Sequence, residues 1–136
     1  MSVPISDLVQ LLRSLEPVLN PGAWAFATLP GGVVPAGLEP VVTVREREGL
    51  TVVVPEAEAA AQGLPVLFRA AWITLLVHSD LQSVGLTAAF AAALGRAEIS
   101  CNVVAGACHD HLFVPLEQAE AAMAALKELQ RRYQPM

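Results

Sequence analysis

The sequence has 136 residues, of which 54% are hydrophobic and 15% are charged, and its formal net charge is −5. This length suits a compact body that buries most of the surface its unfolded chain would expose, without help from disulfides or metals. No apolar run approaches the ~20 residues that span a bilayer, and the acidic balance argues against nucleic acid as the main partner. With two cysteines and no secretory pattern at its start, we expect a cytoplasmic protein whose apolar excess forms a core or a subunit interface.

The first half of the chain predicts a helix, three strands and a second helix. Ser6 can cap the first helix, and Pro17 stops it. The helix is indicated by leucines at helical spacing: Leu8, Leu11, Leu12 and Leu15. The apolar run 23–29 is typical of a buried strand, and a Gly/Pro-rich loop covers 30–40. The remaining elements are strands over 41–45 and 50–54, joined by a turn at Glu46–Gly49, and an alanine-rich helix from Pro55 to Gly63.

The second half begins with an apolar run over 66–78 that is long for one strand. We therefore expect it to contain two strands, with a junction near 69–71. A polar loop over 79–85 then precedes a helix over 86–95, for which Gly95 is the expected left-handed cap. The last predicted elements are strands over 99–105 and 109–114 and a helix over 117–133.

An internal repeat appears when the sequence is shifted by sixty positions. Residues 51–55 (TVVVP) then align with residues 111–115 (HLFVP), and an acidic, alanine-rich helix follows each. The repeat predicts two α+β modules of the ferredoxin-like βαββαβ plan, with antiparallel strands and helices on one face, over residues 1–69 and 70–136. The first module has only the Gly/Pro-rich loop where the second has a helix, and we expect the N-terminal helix to fill that position.

Three segments of the second half carry a family resemblance: residues 72–90 (WITLLVHSDLQSVGLTAAF), 99–106 (ISCNVVAG) and 109–115 (HDHLFVP). In this order they strongly resemble stand-alone bacterial ACT-domain proteins, and residues 46–51 (EREGLT) match the first half of that family. The resemblance implies tandem ACT modules, which in characterised relatives sense amino acids and regulate enzymes or other partners. The sequence departs from the family pattern at Glu98, where many ACT domains have glycine, and at Leu116, where an acidic residue is common.

The loop before the third predicted helix is the candidate ligand site. A helix N-terminus offers unpaired N–H groups to a carboxylate, Asp80 offers a counter-charge to an ammonium group, and Ser83 adds a hydroxyl. The resemblance places ligand at this loop, often across a module or subunit interface, with a facing wall from the next strand. Spacing alone favours an ordinary capping loop, and only the resemblance reverses that preference. The predicted ligand-binding residues are Ser79, Asp80, Leu81, Ser83, Val84, Gly85, Leu86, Ser100, Asn102 and Val103.

Three histidines form a second candidate site. Strand alternation places His78, His109 and His111 together on the sheet face away from the helices, with Cys108 and Asp110 nearby. They could hold zinc or a similar ion, or serve as structural or interfacial histidines, and alternation does not fix the distances that a metal needs. The sequence therefore leaves the metal as the weaker alternative, and no cofactor is predicted.

The function favoured by these patterns is a regulatory protein that binds a small molecule, an amino acid, and lacks catalytic activity. No serine or cysteine lies in a recognisable nucleophile motif. We expect a homodimer that acts on a regulated protein partner. An alternative is an interaction subunit that docks through its open sheet face, as the apolar excess and Trp72 suggest.

Overall fold

The computed structural model describes residues 7–77 and 79–135. These described residues form four helices and seven strands, with a 3₁₀ turn at Leu116–Gln118. The helices are α1 (Leu8–Ser14), α2 (Glu56–Ala61), α3 (Leu86–Arg96) and α4 (Ala119–Arg131). The strands are β1 (Pro17–Leu19), β2 (Trp24–Leu29), β3 (Val42–Glu46), β4 (Gly49–Pro55), β5 (Phe68–Leu75), β6 (Asn102–Ala105) and β7 (Asp110–Pro115). No helix among these residues is both long and apolar enough to cross a membrane.

All seven strands belong to one antiparallel sheet with the order β3-β4-β2-β5-β7-β6, and β1 pairs with β5 outside that path. Strand β5 is shared by two units. Its first residues, Phe68–Ala70, pair with β2, whereas Ala70–Leu75 pair with β7 on the other edge. Each unit thus has four strands in the order of the ferredoxin-like plan, and the predicted α+β fold class is confirmed.

Within the run 66–78, Phe68–Leu75 forms one unbroken strand rather than the two that the length of the run predicted. Continuous pairing on both edges keeps β5 extended through the expected junction at 69–71. The predicted module boundary between residues 69 and 70 therefore falls inside a strand that serves both units.

The N-terminal segment packs against the second module, so the expected filling of the vacant helix position in the first module is wrong. Strand β1 pairs with Ile73–Leu75 of β5 and forms the fourth strand of the second unit. Leu11, Leu12 and Leu15 are at most 1% exposed and join a core formed with β5, β7, α3 and α4, here called the second core because it belongs to the second module. Burial of these leucines against α3 and α4 decides where α1 lies.

In the first module, the Gly/Pro-rich loop itself helps to cover the sheet. Leu38 from this loop is buried in a small core with residues of β2, β4 and α2. Its neighbours are also tied to α2, because Gln62 donates to the carbonyl of Ala36 and the carboxylate of Glu58 accepts from the amide of Glu39. One loop leucine thus stands where a helix would lie in the complete plan.

The sheet face opposite the helices is aromatic. Trp24 and Trp72 meet edge to face with ring centroids 4.9 Å apart, and Phe26 contacts both Phe68 and Phe113 at centroid distances of 5.5 and 5.4 Å. Edge-to-face packing of this kind is a favoured arrangement of aromatic rings. These side chains form an apolar cluster to which only strand residues contribute in the described part of the chain.

Two predicted helix ends differ in the structure. Ser6 lies outside the described residues, and α1 is capped by Asp7, whose carboxylate accepts from the amide of Gln10 at 3.0 Å. Helix α3 runs through Gly95, so the expected cap there is wrong. The left-handed residue is Glu98, with φ of 59°. That is the position where the family resemblance expects glycine, which adopts such a φ without strain.

Candidate functional site

A small crevice of about 60 Å³ lies where the loop after β5 enters α3. Its walls come from three places: the loop, the first turn of α3, and the facing ends of β6 and β7. The lining residues are Ser79, Asp80, Leu81, Ser83, Leu86, Thr87, Ala105 and Asp110. Five of the predicted ligand-binding residues are therefore brought together: Ser79, Asp80, Leu81, Ser83 and Leu86.

The loop is held in shape by its own hydrogen bonds. The carboxylate of Asp80 accepts from the amide of Gln82 at 2.9 Å, and its carbonyl accepts from the amide of Ser83 at 2.9 Å. Local side-chain to backbone bonds of this kind are typical of aspartate in turns. Asp80 is thus partly used to hold the loop, so its predicted role towards an ammonium group stays a prediction.

Helix α3 begins without a side-chain cap. Its N-cap residue is Gly85, with φ of 103°, which has no side chain to bond the first amide groups. The carbonyl of Gly85 accepts from the amide of Ala89 at 2.9 Å. The amide groups of the first turn therefore have no partner within the helix, and the helix dipole makes this end attractive to an anion.

Gly85 has a packing role beside its predicted place in the ligand site. A Cβ atom at this position would lie 3.0 Å from Cδ2 of Leu8, and the positive φ would strain any other residue. Gly85 therefore lets α1 approach the start of α3, and its predicted role in ligand binding stays a prediction. This packing links the crevice to the N-terminal segment.

Asp110 lines the crevice, and sequence reasoning missed it as a ligand-site residue. It lies on the helix-facing side of β7, opposite Leu75 and Ala105, and is 7% exposed. Burial raises the pKa of its carboxyl, and the neighbouring His111 opposes that rise. Strand alternation could have found it, because Leu112 and Val114 face the helices and Asp110 shares their face.

The other predicted ligand-site residues lie outside this crevice. Val84 is 84% exposed at the edge of the loop. Ser100 and Asn102 are exposed near β6 and do not line the crevice, and Val103 packs against the second core. Their predicted role as a facing wall stays a prediction about a second subunit or module.

A larger groove of about 440 Å³ lies between β1 and α4. Its floor is apolar and its rim carries both signs of charge, with residues Leu19, Glu120, Met123, Ala124, Lys127 and Arg131. It contains no buried polar group that could orient a ligand. The small crevice, with its uncapped helix and buried carboxyl, is therefore the stronger candidate for specific binding.

Residues 3–71 match the ACT domain family, and residues 68–128 match it a second time. The chain belongs to the ACT domain family. The predicted arrangement of two tandem ACT modules is therefore confirmed. ACT domains typically bind small molecules such as amino acids and act in regulation. No curated protein matches the chain.

Solved structures carry the same tandem ACT fold. A protein of unknown function from Vibrio cholerae, described as a possible transport protein, is 43% identical over 90% of this chain and 95% of its own, with a TM-score of 0.80. The protein Atu0741 from Agrobacterium tumefaciens is 18% identical over 85% and 89%, with a TM-score of 0.68. The ligand-free regulatory subunit of aspartate kinase from Thermus thermophilus is 10% identical over 83% and 95%, with a TM-score of 0.62. At these lower identities the likeness concerns the fold alone.

The histidine site of the second ACT module is described only in part, because His78 lies outside the described residues. The Nδ1 atom of His111 accepts from Nε1 of Trp72 at 3.1 Å and lies 3.2 Å from the hydroxyl of Thr74. The neutral ring therefore carries its proton on Nε2. Burial lowers the pKa of His111, the charge of His109 adds to this effect, and Asp110 opposes it.

Metal ligation finds no support in the described part of the chain. Residues 7–77 and 79–135 contain no group of three histidine, cysteine or acidic side chains able to hold an ion. Cys108 is exposed, and Cys101 packs at the edge of the second ACT core, where burial raises the pKa of its thiol to about 11. A thiol with so high a pKa is a poor nucleophile and a poor metal ligand near neutral pH.

Proposed function

We propose that this chain is a regulatory protein that binds a small amino acid in the crevice at the start of α3 and catalyses no reaction. One observation carries the proposal: an uncapped helix N-terminus and a buried carboxyl, Asp110, line the same crevice. These two features offer opposite charges to a ligand. The zwitterion of an amino acid, in which one carbon atom carries both a carboxylate and an ammonium group, fits such a pair.

The helix end supports the anionic half of the proposal. The amide groups of Leu86 and Thr87 belong to the unsatisfied first turn, and both residues line the crevice. Side-chain hydroxyls from Ser79 and Ser83 stand in the same wall and can donate to a carboxylate. A carboxylate bound there replaces the missing cap of α3.

Ligand binding is expected to raise the melting temperature of the full chain by several degrees. A ligand that binds only the folded state at a hundredfold excess over its Kd adds ~2.7 kcal/mol to the free energy of unfolding. The measurement is a thermal-shift screen of the common amino acids at millimolar concentration, followed by calorimetric titration of those that stabilise the protein.

Ser83→Val supplies the blocking variant, because it removes a hydroxyl from the crevice wall and adds two methyl groups. Ser14→Val, at the exposed end of α1, is the matched control. We expect the shift to be lost in the first variant and kept in the second. Absence of any shift with the wild-type chain across the whole screen contradicts the proposal.

A second candidate function, self-association through the open sheet face, is favoured by the aromatic cluster on that face. Val44 extends this apolar surface to the edge strand β3 and is 49% exposed. Its neighbour on the same strand, Thr43, points to the opposite face. Thr43 pairs with Val52, which faces the helix-covered core of the first module, whereas Val44 pairs with Thr51. Apolar surface left open on a sheet face is typical of an interface.

Val44→Glu is expected to convert a dimer into a monomer, since the change places a charge within the proposed interface. The measurement is the mass in solution by light scattering at several concentrations. Thr43→Glu, which adds the same charge on the other face, is expected to leave the mass unchanged. A wild-type chain that is monomeric at all concentrations excludes this second function.

A further inference from the structure

The buried carboxyl of Asp110 carries a cost in desolvation free energy at this position. It stands on the helix-facing side of β7, the side that otherwise supplies Leu112 and Val114 to the second core. Removing a carboxylate from water costs free energy unless hydrogen bonds or an opposite charge compensate it. An apolar residue would suit this face better, so the carboxyl calls for an explanation beyond packing.

The carboxyl of Asp110 has no direct partner among the described residues. Its side chain receives no hydrogen bond and forms no ion pair with residues 7–77 or 79–135. The charge of His111, which lies on the other face of β7, opposes the rise in the pKa of Asp110 but does not reach into the crevice. The crevice walls that the structure describes contain hydroxyls, apolar side chains and a second carboxylate, Asp80, but no lysine or arginine. The carboxyl therefore faces the crevice with its charge unanswered by these groups.

We propose that Asp110 binds the ammonium group of the ligand and thereby selects small amino acids with a free amine. This inference rests on the proposed amino-acid function and assigns the group that recognises the cationic half. An ammonium with three N–H donors forms charge-assisted hydrogen bonds with a carboxylate, which are stronger than neutral ones.

The size of the crevice sets the second part of the selection. Its volume is about 60 Å³, and its walls include Leu81, Leu86 and Ala105. A water molecule needs about 10–15 Å³ of volume measured in this way, so the space holds only a few heavy atoms. The ammonium, the Cα atom and the carboxylate fill it, so that a long side chain would have to extend beyond the walls of the crevice. Glycine, L-alanine and L-serine are the amino acids that fit.

The test compares paired ligands that differ only in the ammonium group. L-Alanine and propionate have similar size, as do glycine and acetate, but only the first of each pair carries the charge. Calorimetric titration of the full chain is expected to show that each amino acid binds at least tenfold more tightly than its partner acid.

Asp110→Asn provides the second arm, because it keeps the shape of the side chain and removes the charge. A hydrogen bond to a charged group contributes a factor of about 10 to 100 in affinity, so we expect L-alanine to bind Asp110→Asn that much more weakly, with propionate unaffected. Glu48→Gln, in the exposed turn between β3 and β4, removes one carboxylate elsewhere and is expected to bind L-alanine like the wild type. Circular dichroism and a melting curve establish that each variant is folded, and Asp110→Ser repeats the test with a smaller side chain.

The outcomes separate this inference from the proposed function. If no amino acid binds the wild-type chain, the proposed function fails and the inference falls with it. If amino acids bind, but L-alanine binds wild type and Asp110→Asn equally, the inference alone is overturned. Preferential binding of amino acids with long side chains overturns the size selection.

Discussion

A chain that starts at Ala23 is expected to lose its cooperative fold. The removed segment includes β1, the fourth strand of the second ACT module, and three leucines of its core, Leu11, Leu12 and Leu15. Full burial of a leucine contributes roughly 1.5–3 kcal/mol, so the loss approaches the whole stability of a typical domain, about 5–15 kcal/mol. The measurement is the near-UV circular dichroism and the thermal melt of the shortened chain.

The same segment supplied as a peptide is the control for this deletion. A peptide of residues 7–22 contains α1 and β1, and its addition is expected to restore the native near-UV spectrum and a cooperative melt. A peptide in which the three leucines are replaced by serine is expected to restore neither. A shortened chain that melts cooperatively on its own would show that the second module is complete without its N-terminal strand.

Most of the fold could be predicted because its signals are local. Strand alternation and helical periodicity each need only a short window of sequence, and the repeat between 51–55 and 111–115 indicated two related modules. Strand β1 was missed because Pro17–Leu19 is too short to show a pattern. Its partner, Ile73–Leu75, lies more than fifty residues further along the chain. Pairing at that separation depends on the complete core, which periodicity does not describe.

The position of α1 could not be predicted for a related reason. An amphipathic helix has one apolar face, and either module could have covered it. The position of α1 is fixed by its packing against α3 and α4 and by hydrogen bonds to residues near position 134. Arg13 donates to the carbonyl of Tyr133 at 2.7 Å, and Gln134 donates to the carbonyl of Arg13 at 2.9 Å. These contacts join the two ends of the sequence.

The sequence indicated the loop side of the candidate site but not the opposite wall, which Asp110 forms. The polar loop 79–85 before a helix is a local signal, so Ser79, Asp80 and Ser83 could be found without a structure. Asp110 could be found only by extending the alternation of β7 by one residue. The histidines beside it drew the sequence interpretation towards a metal instead. Residues that recognise a ligand often interrupt an apolar pattern in this way.

Phe90→Ala is expected to lower the free energy of unfolding by about 3–5 kcal/mol. The Phe90 ring is fully buried in the second core, between α3 and the sheet, so its removal leaves a cavity as well as lost apolar contacts. Because β5 belongs to both modules, we expect one transition at lower denaturant concentration. Urea unfolding followed by tryptophan fluorescence and by far-UV circular dichroism measures it, since Trp24 and Trp72 report together on the shared sheet and the dichroism reports on the helices of both modules.

Gly95→Ala, on the same helix, is the control of opposite sign. Gly95 has ordinary helical backbone in α3, and a Cβ atom there would meet nothing within 4 Å. Replacing glycine by alanine inside a helix is therefore expected to raise the free energy of unfolding by about 0.5–1 kcal/mol. Two separate transitions in Phe90→Ala, with only the second module destabilised, would mean that the shared strand does not couple the modules. A single shifted transition means that the loss of stability caused by Phe90→Ala in the second module is shared with the first module through β5.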